Sequence, residues 1–158
     1  VLFSPVKRVG LVVRPMKSFP FFWRAFLIFT YLLFLNELAV MEIKIHEVNT
    51  VSIVEVISND VVINSIEDGT NLIGDVYYQD FDKLILHEKN ITPEFFDLKT
   101  KMAGEILQKF SNYRMRLAIV GDFTKYESRS LKDFIVESNK GVTVNFVKST
   151  NEALLALS

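Results

Sequence analysis

Hydrophobic and polar positions alternate over Glu42-Ile-Lys-Ile-His-Glu-Val48, the period of a half-exposed strand. A second, more apolar run, Val51 to Ile57, follows after only Asn49-Thr50. Two strands separated by two residues read as a β-hairpin, although Asn-Thr is a weaker turn than Asn-Gly. The period then lengthens. Ile63, Ile66, Leu72, Ile73 and Val76 predict a helix over roughly Ser65 to Tyr78, with Glu67 and Asp68 in its first turn. Gly69 weakens that helix. Asp82 to Glu88 is a third strand centred on Leu84–Leu86.

The longest pattern organises the chain. Leu98, Met102, Ile106, Phe110 and Tyr113 recur every three or four residues, and Ala103 and Leu107 widen the stripe. Lys101, Glu105, Gln108, Lys109 and Asn112 occupy the opposite face, with Glu105 and Lys109 spaced for a helical ion pair. Gly104 sits mid-helix, where glycine costs about 1 kcal/mol relative to alanine; close approach of another backbone would justify it. Thr92-Pro93-Glu94 supplies a cap, an N1 proline and an acid, giving a short turn before the long helix begins near Lys99. Tyr113 is placed to anchor the end of this helix and Arg114 to cap its last carbonyls.

Met115 to Val120 is then apolar apart from Arg116 and stops at Gly121-Asp122, as a central strand covered on both faces does. Thr124-Lys-Tyr-Glu127 matches a capping box and predicts a helix with Leu131, Phe134, Ile135 and Ser138 inward, ending at Lys140-Gly141. Val142 to Val147 is a further strand. Ser149-Thr-Asn-Glu152, a second capping box, opens a last helix through Leu157. The order β-β-α-β-α-β-α-β-α implies an α/β fold: a mainly parallel sheet of about five strands with helices on both faces.

Charge divides the chain in two. Residues 1–40 carry five basic residues and one acid, and residues 41–158 carry a net charge of −5, for −1 overall. Phe19 to Leu35 is dominated by aromatic and aliphatic residues, broken by Pro20 and Arg24. Three readings compete: a translation start assigned upstream of a true start at Met41, a signal or membrane anchor, and an interfacial amphipathic segment. The composition break at Met41 and the valine at position 1 favour the first. Residues 41–158 are expected to form a single domain in the cytoplasm, with membrane attachment only if residues 1–40 are genuine. The near-neutral balance argues against a nucleic-acid partner. With no cysteine and only His46 and His87, no spacing supports a zinc site.

Phe95-Phe-Asp-Leu98, Ala103-Gly-Glu-Ile-Leu-Gln-Lys-Phe110, Asn112-Tyr113, Leu117-Ala-Ile-Val-Gly-Asp122 and Asp133-Phe-Ile-Val-Glu-Ser-Asn-Lys-Gly141 together resemble the bacterial family called domain of unknown function 4180. The resemblance covers about Ile43 to Leu157 and implies a fold and a bacterial origin, with no established activity. The element order is also similar to that of the anti-sigma-factor antagonist (STAS) fold. In those domains a phosphorylatable serine opens the helix after the third strand. Here the loop holds Thr92 and Thr100, outside the Asp-Ser motif of that family.

Candidate chemistry concentrates at the strand ends. Asp122 follows a buried strand, where α/β sheets bind ligands, or it closes a turn on nearby backbone. His87 and Glu88 end the preceding strand and with Asp122 form the set an enzyme of acid–base type would use. Thr92, Thr100, Glu105 and Asp122 are the candidate binding residues. No nucleotide loop, dinucleotide glycine pattern, nucleophile elbow or His-Glu-x-x-His is present. No metal or cofactor is expected. The favoured function is a non-catalytic, regulatory module that binds a protein or a small ligand; the alternative is a small enzyme using His87, Glu88 and Asp122.

Overall fold

The computed structural model describes residues 41–158. The expectations for residues 1–40 lie outside the described residues. Strands β1 (Glu42–Val48) and β2 (Val51–Ile57) form the antiparallel hairpin. Its turn residues Asn49 and Thr50 both have left-handed backbone, with φ of 49° and 70°. That conformation matches the twist of a two-residue hairpin, and it strains β-branched Thr50.

Helix α1 (Ile66–Tyr77), β3 (Lys83–His87), the single turn α2 (Pro93–Phe96), α3 (Met102–Asn112), β4 (Arg116–Val120), α4 (Arg129–Lys140), β5 (Val144–Val147) and α5 (Thr150–Leu157) complete the domain. The sheet order is β1-β2-β3-β4-β5, with β2 to β5 parallel. The fold class is therefore α/β with a mainly parallel five-stranded sheet.

Alternation along the strands divides the core. Val54, Val56, Leu84, Leu86, Leu117 and Ile119 point to one face, where residues of α1, α3 and α4 cover them. Ile53, Ile85, Ala118 and Val120 point to the other, where Ala153 and Leu157 of α5 meet them. Successive crossovers between neighbouring parallel strands keep their helices on one side, so among the described residues only the helix after β5 is free to take the other. Arg116 ties α5 down at its C-terminal end. Its guanidinium donates to Val142 O at 3.0 Å, to Leu157 O at 3.1 Å and to Ala156 O. The one charge interrupting the β4 run thus satisfies carbonyls at a helix end.

Several local expectations change. Thr124 lies in a 3-10 turn (Phe123–Lys125) opened by Asp122, and α4 starts later, capped by Ser128, whose Oγ accepts from Leu131 N. Lys101 takes left-handed backbone (φ 64°) and separates a 3-10 turn, Leu98–Thr100, from α3. Gly104 meets nothing: a Cβ there would have no neighbour within 4 Å. The close approach belongs to Gly69, where a Cβ would lie 3.1 Å from Ile106 Cδ1, so α1 and α3 pack tightly through it. The ion pair expected between Glu105 and Lys109 is not made among the described residues; Gln108 donates to Asn112 at 3.1 Å instead. Tyr113 is 43% exposed and stands edge-on to Tyr77 at 5.3 Å, outside the buried stripe.

Candidate functional site

Parallel pairing brings the C-terminal ends of β2 to β5 to one edge of the sheet. Asn90, fully buried just past β3, knots that edge together. Its Nδ2 donates to Ser58 O at 2.9 Å and Asp60 O at 2.7 Å, and its backbone carbonyl accepts from Val62 N and Ile63 N.

Two buried carboxylates on opposite faces dominate the chemistry near this edge. Glu55 lies on β2, on the face that α5 occupies, and is 4% exposed. His46 Nε2 approaches Oε2 at 2.7 Å, and His87 Nε2 approaches Oε1 at 2.9 Å. Thr150, the first residue of α5, donates its hydroxyl to Oε1 at 3.3 Å. One side chain therefore joins β1, β2, β3 and α5. Burial alone pushes the Glu55 carboxyl up; the hydrogen bonds and charges of His46 and His87 together outweigh it and hold the group below its ordinary value. Each imidazole presents an N–H to a carboxylate oxygen, which sets its orientation.

Glu88, one residue beyond His87, faces the other way. Tyr126 donates to its Oε1 at 2.5 Å, and Lys125 Nζ lies 2.7 Å from the same oxygen. Burial, then the hydrogen bond and charge of Glu88, raise the Tyr126 phenol well above its ordinary value. The Tyr126 ring stacks on Phe96 with centroids 5.0 Å apart. Gly121 makes the arrangement possible: a Cβ there would fall 2.5 Å from Glu88 Cβ and 2.7 Å from Oε2.

Asp122 is exposed and accepts from Thr124 Oγ1 at 2.6 Å and from Thr124 N at 3.1 Å. These two bonds, with the charges of Lys125 and Lys148, hold its carboxyl below the usual range. Thr92 is the N-cap of α2, without a side-chain cap bond. The Thr100 hydroxyl shares its one hydrogen between Glu94 O and Asp97 O, each at 2.8 Å, and accepts from Met102 N at the start of α3. Glu105 is exposed in the first turn of α3.

The expected set is thus distributed. His87 is bonded to Glu55, Glu88 to Tyr126 and Lys125, and Asp122 to Thr124, and none of the three bonds to another among the described residues. No group of three or more His, Cys, Asp or Glu side chains among the described residues is arranged to hold a metal ion. Sequence reasoning missed Glu55, His46, Thr150, Lys125 and Tyr126. One signal for the first was present: a carboxylate at an inward position of an otherwise apolar strand needs a cationic or hydrogen-bonding partner.

Away from this edge, an open groove of about 330 Å³ runs between α3 and α4, with Leu107, Phe134 and Val144 among its lining and Gly104 and Ser138 beside them. No helix among the described residues is long and apolar enough to cross a membrane.

Comparison with known proteins agrees with this architecture as far as a family. No curated protein and no solved structure matches the chain. The model of the family described as Domain of unknown function (DUF4180) matches residues 48–157, from the hairpin turn to the end of α5. The chain belongs to the DUF4180 family.

Proposed function

We propose that this chain is a non-catalytic binding module with a regulatory role in the bacterial cytoplasm. It engages a protein or small-ligand partner through the edge formed by the C-terminal ends of β2 to β5. The observation that carries this reading is the pairing of the buried charges. Glu55 is held by two histidines and Glu88 by a lysine and a tyrosine, so both serve the fold. Beside them Thr100, Asp122 and Lys125 remain exposed for a partner to meet. The STAS-like element order supports the regulatory part of the reading by analogy.

An enzymatic reading rests on one feature. The His87 ring is oriented by a buried carboxylate and stays partly accessible, which a general base requires. The two readings separate under substitution. Asp122→Ala and Thr100→Ala should weaken partner capture from an extract of the source cells while leaving the extract's small molecules unconverted. Conversion of a compound by the wild type, abolished in a folded His87→Ala variant, would overturn the binding reading in favour of the enzyme.

A further inference from the structure

Helices α3 and α4 lie on the same sheet face, yet the groove of about 330 Å³ runs between them. Each helix is fastened away from the other. On one side α3 packs on α1 through Gly69, where a Cβ would lie only 3.1 Å from Ile106 Cδ1. On the other, α4 is tied to the edge strand β5. The Asn139 side chain takes both backbone groups of Phe146: its Oδ1 accepts from Phe146 N at 2.7 Å and its Nδ2 donates to Phe146 O at 3.0 Å. The fold itself therefore holds the gap open. Leu107, Phe134 and Val144 give it apolar walls, and Ser111, Ser138 and Thr143 add hydroxyls.

Gly104 supplies a second, independent observation. It lines the groove from α3. Its φ is not positive, and a Cβ there would meet nothing within 4 Å. Neither conformation nor packing calls for glycine, which is among the least favourable helix residues. Stability given up without return to the fold is the mark of a functional position, and what glycine keeps here is room in the groove. We propose that the groove binds an uncharged small molecule with an apolar body and hydroxyl or amide groups at its rim. Size argues for a small molecule. One turn of α-helix, about 10 Å across and 5.4 Å high, fills roughly 420 Å³, more than the groove holds, whereas small-molecule pockets start at about 300 Å³. Charge argues for a neutral one. No lysine, arginine or histidine among the described residues lines the groove, and its one carboxylate, Glu137, is paired with Lys140 at 2.6 Å. An anion would find no counter-charge there.

Amide NMR spectra of the isotope-labelled full chain, titrated with 2-naphthol, test this site apart from the strand-end partner. The probe is uncharged at neutral pH. It should bind with a dissociation constant below about 1 mM and shift the amides of Leu107, Gln108, Ser111 and Thr143, leaving Asp122 to Tyr126 unmoved. Its anionic counterpart, 2-naphthoate, should bind at least about tenfold more weakly. Gly104→Leu and Ser111→Leu each put a good helix former into the groove, two turns apart on α3. Both should melt no lower than wild type and lose at least about tenfold in affinity for 2-naphthol. Absent shifts in the groove, equal binding of 2-naphthoate, or full affinity in both folded variants overturns the proposal. So does a lower melting temperature for Gly104→Leu, which would return the glycine to the service of the fold.

Discussion

Replacing Glu55 by Gln removes one charge at the point where four elements meet, with almost no change of shape. The carboxylate accepts from His46 and His87 through different oxygens and from Thr150 as well. An amide offers one oxygen and one NH2 group, so one imidazole must face a donor and either change tautomer or swing away. Hydrogen bonds to a charged group contribute about 1.5–3 kcal/mol each, against about 1 for neutral ones. Weakening two of them gives an expected loss of about 2–3 kcal/mol. For a domain of this size that lowers the thermal midpoint by roughly 8–12 °C.

The same change has a pH signature. Glu55 in the folded chain titrates below its ordinary value of 4.5, so as pH falls the unfolded chain takes up its proton first. The stability contributed by the carboxylate is complete above the ordinary value and drains away as pH drops through the lower folded value. The gap between wild type and Glu55→Gln, measured by urea unfolding, should therefore be wide at about pH 6 and narrow at about pH 3. A variant within about 0.5 kcal/mol of wild type at pH 6, or a gap unchanged between the two conditions, would refute the role of Glu55 as the ionised centre of this junction.

Three further substitutions read separate parts of the structure. Gly121→Ala drives a methyl group against Glu88 Cβ and should cost about 1–3 kcal/mol in urea unfolding; a neutral result would mean that the contact yields easily. Gly104→Ala fills open space in mid-helix and should stabilise the domain by about 1 kcal/mol; a lower melting temperature would show that the glycine is needed within the fold. Arg116→Lys loses the planar fork that reaches Val142, Ala156 and Leu157 and should destabilise α5 by about 1–2 kcal/mol. Faster amide exchange confined to α5 checks this, and unchanged exchange would show that Ala153 and Leu157 hold the helix without it.

The strands and helices were legible because their signals are local. The alternation of Glu42 to Val48, the stripe from Met102 to Phe110 and the Ser149 cap each reappear in the structure within a residue or two. The misplaced start of α4 has a physical cause. Thr124 and Ser128 both offer a cap four residues apart, and Asp122 claims Thr124 for its own turn. Gly69 and Gly104 look alike in sequence, and only the packing of α1 on α3 decides which of them permits a close approach. The strand-end residues were legible as types and not as partners. His87 and Glu88 are neighbours in the chain, yet His87 ends β3 and Glu88 opens the 3-10 turn after it, and the two side chains bond to different elements. The partner of His87 is Glu55, 32 residues earlier, and that of Glu88 is Tyr126, 38 residues later. Those pairings depend on sheet order, which no local pattern encodes.

Amide hydrogen exchange of the full chain, compared between buffer and an extract of its source cells, tests the proposed binding edge most directly. The account predicts added protection at Thr92 to Lys101 and Asp122 to Tyr126, lost in a folded Asp122→Ala, Thr100→Ala double variant. Protection confined to the groove between α3 and α4, or persisting undiminished in that variant, would contradict it.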